Sequence, residues 1–147
     1  MRQAITTITI RTDGPGLHPI DGPVRGWVKG QARRGSGLLT LLCQHTSASL
    51  TIQENADPDV RLDLQDAFTA LAPHGHPPGG QPYRHATEGP DDMAAHVRTV
   101  LSGVHLSIPV EEGRLMLGTW QGLYLWEHRD APHDRRIAAH VLVSTER

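Results

Sequence analysis

Residues 3–11 read QAITTITIR. β-Branched residues recur there with a rough period of two, which predicts a half-buried strand. The segment DGPGLHP, residues 13–19, breaks it. From Asp21 to about Arg34, Val24, Trp27 and Val28 fall on one side of a helix that Asp21 caps. Gly22, Gly26 and Gly30 each weaken that helix by about 1 kcal/mol relative to alanine. Gly35-Ser36-Gly37 reads as a turn, and the unbroken apolar run Leu38–Cys43 as a strand buried on both faces or in a tight core. Ala48–Ile52 is a second short strand. Asp57 followed by Pro58 is an N-cap with proline at the first helical position. Val60, Leu64, Ala67, Phe68 and Leu71 then repeat at helical spacing until Pro73 stops the helix.

Residues 73–82, PHGHPPGGQP, hold four prolines and three glycines and predict a loop. Loops of that length in a compact domain are usually functional or mobile. Asp91 or Asp92 caps a helix from 91 to 103 whose core face is Val97, Val100 and Leu101. The remainder reads as strand: Val104–Val110, a turn at Glu111-Glu112-Gly113, Arg114–Gln121, a bulge or bend at Gly122, Leu123–Glu127, and Arg135–Ser144. The two runs around the Glu111–Gly113 turn form a hairpin. The pattern predicts a single α+β domain with a largely antiparallel sheet of six or seven strands and about three helices.

Composition narrows the function classes. A net charge of −2 over 147 residues argues against a nucleic-acid-binding face. The lone Cys43 rules out an internal disulfide, and its place in LLTLLC marks it as a small buried hydrophobe. The start, MRQAITTITI, lacks the apolar core of a signal peptide, and no run approaches the roughly 20 apolar residues that span a bilayer. These features predict a soluble cytoplasmic protein without a membrane partner. Ten histidines are the compositional outlier.

Those histidines direct attention to Tyr83–His96, YRHATEGPDDMAAH. His85 and Glu88 lie in a loop, since Gly89-Pro90 interrupts any helix; Asp92 and His96 are four apart on the following helix and so share a face. His45, at the end of a buried strand, is a third imidazole. His45, His85 and His96 with an open fourth position suit a catalytic zinc-type site, and Glu88 or Asp92 as added ligands widens the choice to magnesium or manganese. The carboxylates alternatively fix the imidazole tautomers from behind. Glu54 and Asn55 read either as a base or ligand with an orienting amide, or as plain turn chemistry before the Asp57 cap. Thr46 and Ser47, together with Arg84 and Arg98, are candidates for a phosphate, although no glycine-rich phosphate loop occurs. In Gly118-Thr119-Trp120-Gln121-Gly122, Trp120 either fills the core or offers a flat wall to a heteroaromatic ligand, with Gln121 supplying an amide.

Three runs in this order, HTSASLTIQENADPDVRLDL, YRHATEGPDDMAAHVRTVL and SIPVEEGRLMLGTWQGLYLWEHR, resemble the YjbQ-like family. The resemblance covers nearly the whole chain. It rests on His45, Glu54-Asn55-Ala56-Asp57, His85, Glu88-Gly89, Asp92, His96 and Gly118–Gly122. Departures fall at Ala95, near which relatives often carry proline, and at Leu50, where many have a glycine-isoleucine pair; neither is a proposed ligand. The resemblance implies a compact α+β fold, a homotrimer with a pocket at or near the subunit boundary, and a secondary thiamine-phosphate synthase activity. That reaction joins a pyrimidine diphosphate to a thiazole phosphate with loss of diphosphate. It requires a metal and cations for the leaving charge and an aromatic wall for the heterocycle. In this reading His45, His85 and His96 hold the metal, Arg98 helps stabilise the diphosphate, Glu88 or Asp92 manages a proton, and Trp120 stacks on the ring. The same residues also suit a metal-dependent hydrolase or lyase of a small phosphorylated metabolite. A non-catalytic module for a small anion is the third reading.

Overall fold

The Thr/Ile alternation near the N-terminus becomes a ten-residue strand, β1 (Arg2–Arg11), whose inward positions Ala4, Ile8 and Ile10 pack on the core. In the computed structural model, which describes residues 1–144, it is followed by β2 (Gly16–Pro19), α1 (Asp21–Gln31), β3 (Ser36–Cys43), β4 (Ala48–Glu54), α2 (Pro58–Leu71), α3 (Asp92–Ser102), β5 (His105–Glu111), β6 (Arg114–Leu115), β7 (Gln121–Glu127) and β8 (Asp134–Val143). The fold is α+β with antiparallel strands throughout. The strands divide into two sheets, ordered β1-β8-β3-β5-β6 and β2-β7-β4.

Leu39, Leu41, Ile108, Ile137 and Val141 of the larger sheet meet Leu50, Leu123 and Leu125 of the smaller one in a single core, into which α1 inserts Val24 and Val28. Burying each such side chain contributes roughly 1.5–3 kcal/mol. Helices α2 and α3 take the other side of the smaller sheet. Phe68 of α2 stacks on Trp126 at 4.1 Å, and the Trp126 indole N–H donates to Gln65 at 2.8 Å. Cys43 is buried, as its apolar surroundings predict, and burial pushes its thiol up. No helix of the described residues is long and apolar enough to cross a membrane.

Several predicted details are corrected. The segment 13–19 is not only a break, because it holds β2 paired to β7. β3 is buried on one face only: Leu39, Leu41 and Cys43 point inward, whereas Leu38 and Leu42 are 42% and 44% exposed. An apolar run alone does not distinguish one covered face from two, and no helix of the described residues covers the outer face of the larger sheet. α3 is seated the other way round from its predicted core face. Ala94, Ala95, Arg98 and Thr99 are buried, while Val100 is 83% and Leu101 54% exposed. The two alanines allow close approach to β4, and the bulkier apolar stripe is left outside. Within α2 no residue is fully buried, and Leu71 of its predicted core face is 58% exposed. The predicted strand Arg114–Gln121 is a two-residue bridge followed by a turn, in which the Gly118 N–H donates to Gln121 Oε1 at 2.8 Å. Asp21 does not cap α1; its Oδ2 accepts the Leu123 N–H.

Candidate functional site

Helix α3 begins with two acidic residues, and neither acts as a side-chain cap. Both are buried and face Arg129, just beyond the end of β7. Arg129 Nε donates to Asp91 Oδ2 at 2.9 Å, its Nη1 lies 2.8 Å from Asp92 Oδ1, and its Nη2 donates to the Glu88 carbonyl at 3.0 Å. The Asp130 N–H also donates to Asp91. One guanidinium therefore ties the start of α3, the loop before it and the end of β7 together. Planar, multidentate pairing of this kind is what arginine provides and lysine does not. The Asp91 carboxylate raises Arg129 further above its ordinary value.

With Oδ1 held by Arg129, Asp92 presents Oδ2 to two imidazoles. His85 Nε2 lies 2.7 Å and His96 Nε2 3.1 Å from that one oxygen. Burial pushes the Asp92 carboxyl up, but the His85 hydrogen bond and the charges of Arg129 and His96 outweigh it and hold the group below the usual carboxylate range. The opposite nitrogen of His96, Nδ1, lies 2.9 Å from the Thr46 carbonyl, to which it must donate. That hydrogen bond fixes the ring's orientation and leaves Nε2 turned toward the carboxylate. A carboxylate oxygen facing two ring nitrogens is satisfied by ring N–H groups or by a cation shared among the three. The ligand atoms of His85, Asp92 and His96 all lie within 4.8 Å of one another, and the group could hold a metal. Two imidazoles and one carboxylate with open positions suit a divalent transition metal.

The predicted third imidazole is elsewhere. His45 Nε2 accepts the Arg136 backbone N–H at 2.7 Å and is not part of the group. Burial first, then Arg135 and Arg136, lowers its pKa. Its neighbour Thr46 contributes a backbone carbonyl instead of a hydroxyl. Arg98 is corrected as an anion ligand: it is buried, and its Nε and Nη2 both donate to the Ala72 carbonyl, at 3.1 and 2.8 Å, closing the end of α2. Ser47 is likewise withdrawn, since its Oγ accepts from Arg135 Nη2 at 3.0 Å. Glu88 and Arg84 remain exposed in the loop beside the group.

Glu54, Asn55, Trp120 and Gln121 lie at the wrong end of the sheet for a shared site. In the β4–β7 register Ala48 faces Glu127 and Glu54 faces Gln121. The histidine group adjoins the Ala48–Glu127 end, so the Glu54–Gln121 end stands six strand residues, roughly 20 Å, away. There Trp120 is 63% exposed, the Asn55 N–H donates to the Trp120 carbonyl at 2.9 Å, and Glu54 Oε2 is buried without a hydrogen-bond partner among the described residues.

Beneath the histidine group lies a buried polar layer to which the sequence reading assigned nothing. Glu127 is fully buried, with Oε1 accepting from Arg135 Nε at 2.9 Å and from Thr12 Oγ1 at 2.8 Å. His128 is equally buried and pairs through Nε2 with Ser49 Oγ at 2.8 Å. Burial, reinforced by the Arg98 charge, lowers its pKa to about 3. The one signal for this layer was the consecutive polar run Glu127-His128-Arg129 at the end of an apolar strand.

The wider comparisons agree with this architecture. The model of the "UPF0047 protein YjbQ-like" family matches residues 6–144. A UPF0047 protein of Synechocystis sp. is 47% identical over 140 residues, covering 95% of this chain and 92% of its own. YjbQ of Salmonella typhimurium is 43% identical over 133 residues, covering 90% and 93%. Among solved structures, a conserved hypothetical protein of Thermus thermophilus superposes with a TM-score of 0.79 at 34% identity, over 93% of this chain and 99% of that one. A hypothetical protein of Aeropyrum pernix gives 0.83 at 27% identity, over 96% and 99%. With its family match running from the first strand through the last, the chain belongs to the YjbQ-like UPF0047 family.

Proposed function

We propose that His85, Asp92 and His96 hold a divalent metal and that the protein is an enzyme acting there on a small phosphorylated metabolite. The observation that carries this reading is the orientation of His96: Nδ1 at the Thr46 carbonyl and Nε2 facing the oxygen that His85 also faces. A bound divalent ion would polarise a phosphoryl or carbonyl oxygen and offset the charge of a leaving group. Arg129 holds Asp92 in place through Oδ1, so Oδ2 stays available. In this reading Glu88, exposed in the adjacent loop, takes up or releases a proton, and Arg84, exposed in the same loop, meets an anionic substrate. Beside His96, Met93, Val97, Val100 and Leu101 line a hollow of about 210 Å³ suited to an apolar or heterocyclic part of the substrate.

The finer assignment, condensation of a pyrimidine diphosphate with a thiazole phosphate, is drawn from the family resemblance. Within it, Trp120 and Gln121 reach a substrate at the histidine group only from a second copy of the chain. A homotrimer with the site at the subunit boundary, as the family resemblance implies, accommodates this. The deciding experiment is elemental analysis of the purified protein and of His96→Ala. This is paired with turnover of the two thiamine precursors with and without chelator. About one equivalent of metal per chain, lost in the variant together with chelator-sensitive turnover, is expected. Full metal content in His96→Ala refutes the site; metal binding without turnover of these precursors refutes the thiamine assignment alone.

A further inference from the structure

Three arginines line one hollow at the corner where β1 begins, β8 ends and the α1–β3 link passes. Val143 stands in register with Arg2 of β1 on one side and Gly37 of β3 on the other. Residue 2 is thereby brought beside the residues leading into β3. Gly37 is required at this crossing, because a side chain there would collide with the Leu142 carbonyl. Arg33 and Arg34 follow α1 directly, and with Arg2, Gln31 and Val143 they line a hollow of about 250 Å³.

All three arginines are exposed. None forms an ion pair among the described residues, whereas Arg11, Arg25, Arg129 and Arg135 do. Glu112, on the turn that packs against this end of α1, has its carboxylate bound by the Gly35 N–H at 3.2 Å. Basic residues after a helix C-terminus favour its dipole, which accounts for Arg33 and Arg34 singly. It does not account for Arg2, which arrives from another strand. Converging like charges repel, and on a chain of net charge −2 they mark a place where a counter-anion lowers the energy.

We propose that this corner binds a small polyanion, namely a diphosphate or triphosphate group, free or as the tail of a nucleotide. Guanidinium forks pair two oxygens at a time, which matches phosphate geometry. A singly charged ion would pair with one guanidinium and leave the other two to solvent. The hollow, about 250 Å³, is smaller than the roughly 300–1,000 Å³ of sites that enclose drug-sized ligands, so phosphates occupy it and a base would lie outside. Arg136, whose N–H meets His45 next to the Thr46 carbonyl that His96 contacts, stands seven strand residues from Val143 on β8, roughly 23 Å. The corner is therefore separate from the histidine group and does not depend on the metal reading.

Calorimetric titration of the full chain at low salt tests this with inorganic triphosphate, diphosphate, orthophosphate and ATP. One triphosphate per chain is expected, bound about tenfold or more tightly than orthophosphate, with affinity falling as salt rises. Arg34→Gln and Arg2→Gln should each weaken it by about tenfold, and the charge control Arg61→Gln by less than about twofold. Circular dichroism checks that these exposed substitutions leave the fold unchanged. Equal affinity for ATP and triphosphate assigns the corner to a nucleotide tail; triphosphate binding without ATP assigns it to free polyphosphate. His96→Ala should bind triphosphate normally. Absence of saturable binding at millimolar triphosphate, equal losses in Arg34→Gln and Arg61→Gln, or loss in His96→Ala alone overturns the proposal.

Discussion

His128 makes stability depend on pH in a way that one substitution isolates. The side chain is fully buried, and its pKa falls from 6.5 to about 3, chiefly through burial. In the unfolded chain the imidazole takes a proton as the pH drops below 6.5; in the folded chain it does not until about 3. Between those values the unfolded state binds more protons, so stability is complete above 6.5 and declines as the pH falls through the window. At about 1.4 kcal/mol per pH unit, the loss is roughly 2 kcal/mol by pH 5 and about 5 kcal/mol by pH 3. Asp91, Asp92 and Glu127, whose carboxyls are all lowered, add losses of the same sign at lower pH. They are present in both wild type and His128→Leu and cancel in the comparison. Urea unfolding followed by tryptophan fluorescence, to which buried Trp126 contributes, at pH 7, 6, 5 and 4.5, gives the two curves. The variant starts less stable, because Ser49 Oγ loses its partner, yet its stability should fall less steeply below pH 6.5. The slopes, not the baselines, carry the test, and His128→Gln repeats it if the leucine variant does not fold. Parallel acid limbs would show that His128 is not held neutral by its surroundings.

Other substitutions separate structural from ligand-holding roles. If His85, Asp92 and His96 hold a metal as proposed, Arg129→Met should weaken its binding about 10–100-fold, since Asp92 loses the partner that holds its carboxylate; metal competition measures this. Arg98→Leu should cost about 1.5–3 kcal/mol in urea unfolding, by stripping the Ala72 carbonyl of its donors, and leave metal stoichiometry unchanged. Glu127→Gln should cost about 3–5 kcal/mol, because Arg135 stays buried without its counter-charge. Asp57→Ala should cost about 1 kcal/mol in the same assay, through loss of the cap on the Asp59 N–H.

Elements with a strong period and clear stops were legible in the sequence: β1 from its Thr/Ile alternation, α2 from Asp57-Pro58, the loop 73–82 from its prolines and glycines. What each face meets was not. In α3, a stripe through Val97, Val100 and Leu101 and a stripe through Ala94, Ala95 and Arg98 are both compatible with a helix, and hydrophobicity favours the first. Small size decided for the second, because only alanines let the helix lie close on β4. The site divides in the same way. His85, Asp92 and His96 could be grouped from local spacing, since a loop and one helical turn bring them together. Arg129, 38 positions beyond Asp91, and the withdrawal of His45 to Arg136 follow from strand pairing, which no local pattern encodes.

That pairing also constrains how one small substrate can use both ends of the smaller sheet. Charged and imidazole groups gather where β4 begins and β7 ends, and Glu54, Asn55, Trp120 and Gln121 where β4 ends and β7 begins. A rigid pair of strands holds the two sets roughly 20 Å apart, farther than the bonded reach of a single heterocycle. If Trp120 stacks on a substrate bound at the histidine group, the ring must come from another copy. Two inactive chains, His96→Ala and Trp120→Ala, then complement each other. Refolded together in equal amounts, they should regain roughly a quarter of the wild-type sites, those in which an intact histidine group meets an intact Trp120 across a subunit boundary. Turnover of the thiamine precursors by the mixture, with sedimentation confirming that subunits have exchanged, measures this. Exchange without recovered turnover would assign Trp120 a role apart from the histidine group's reaction.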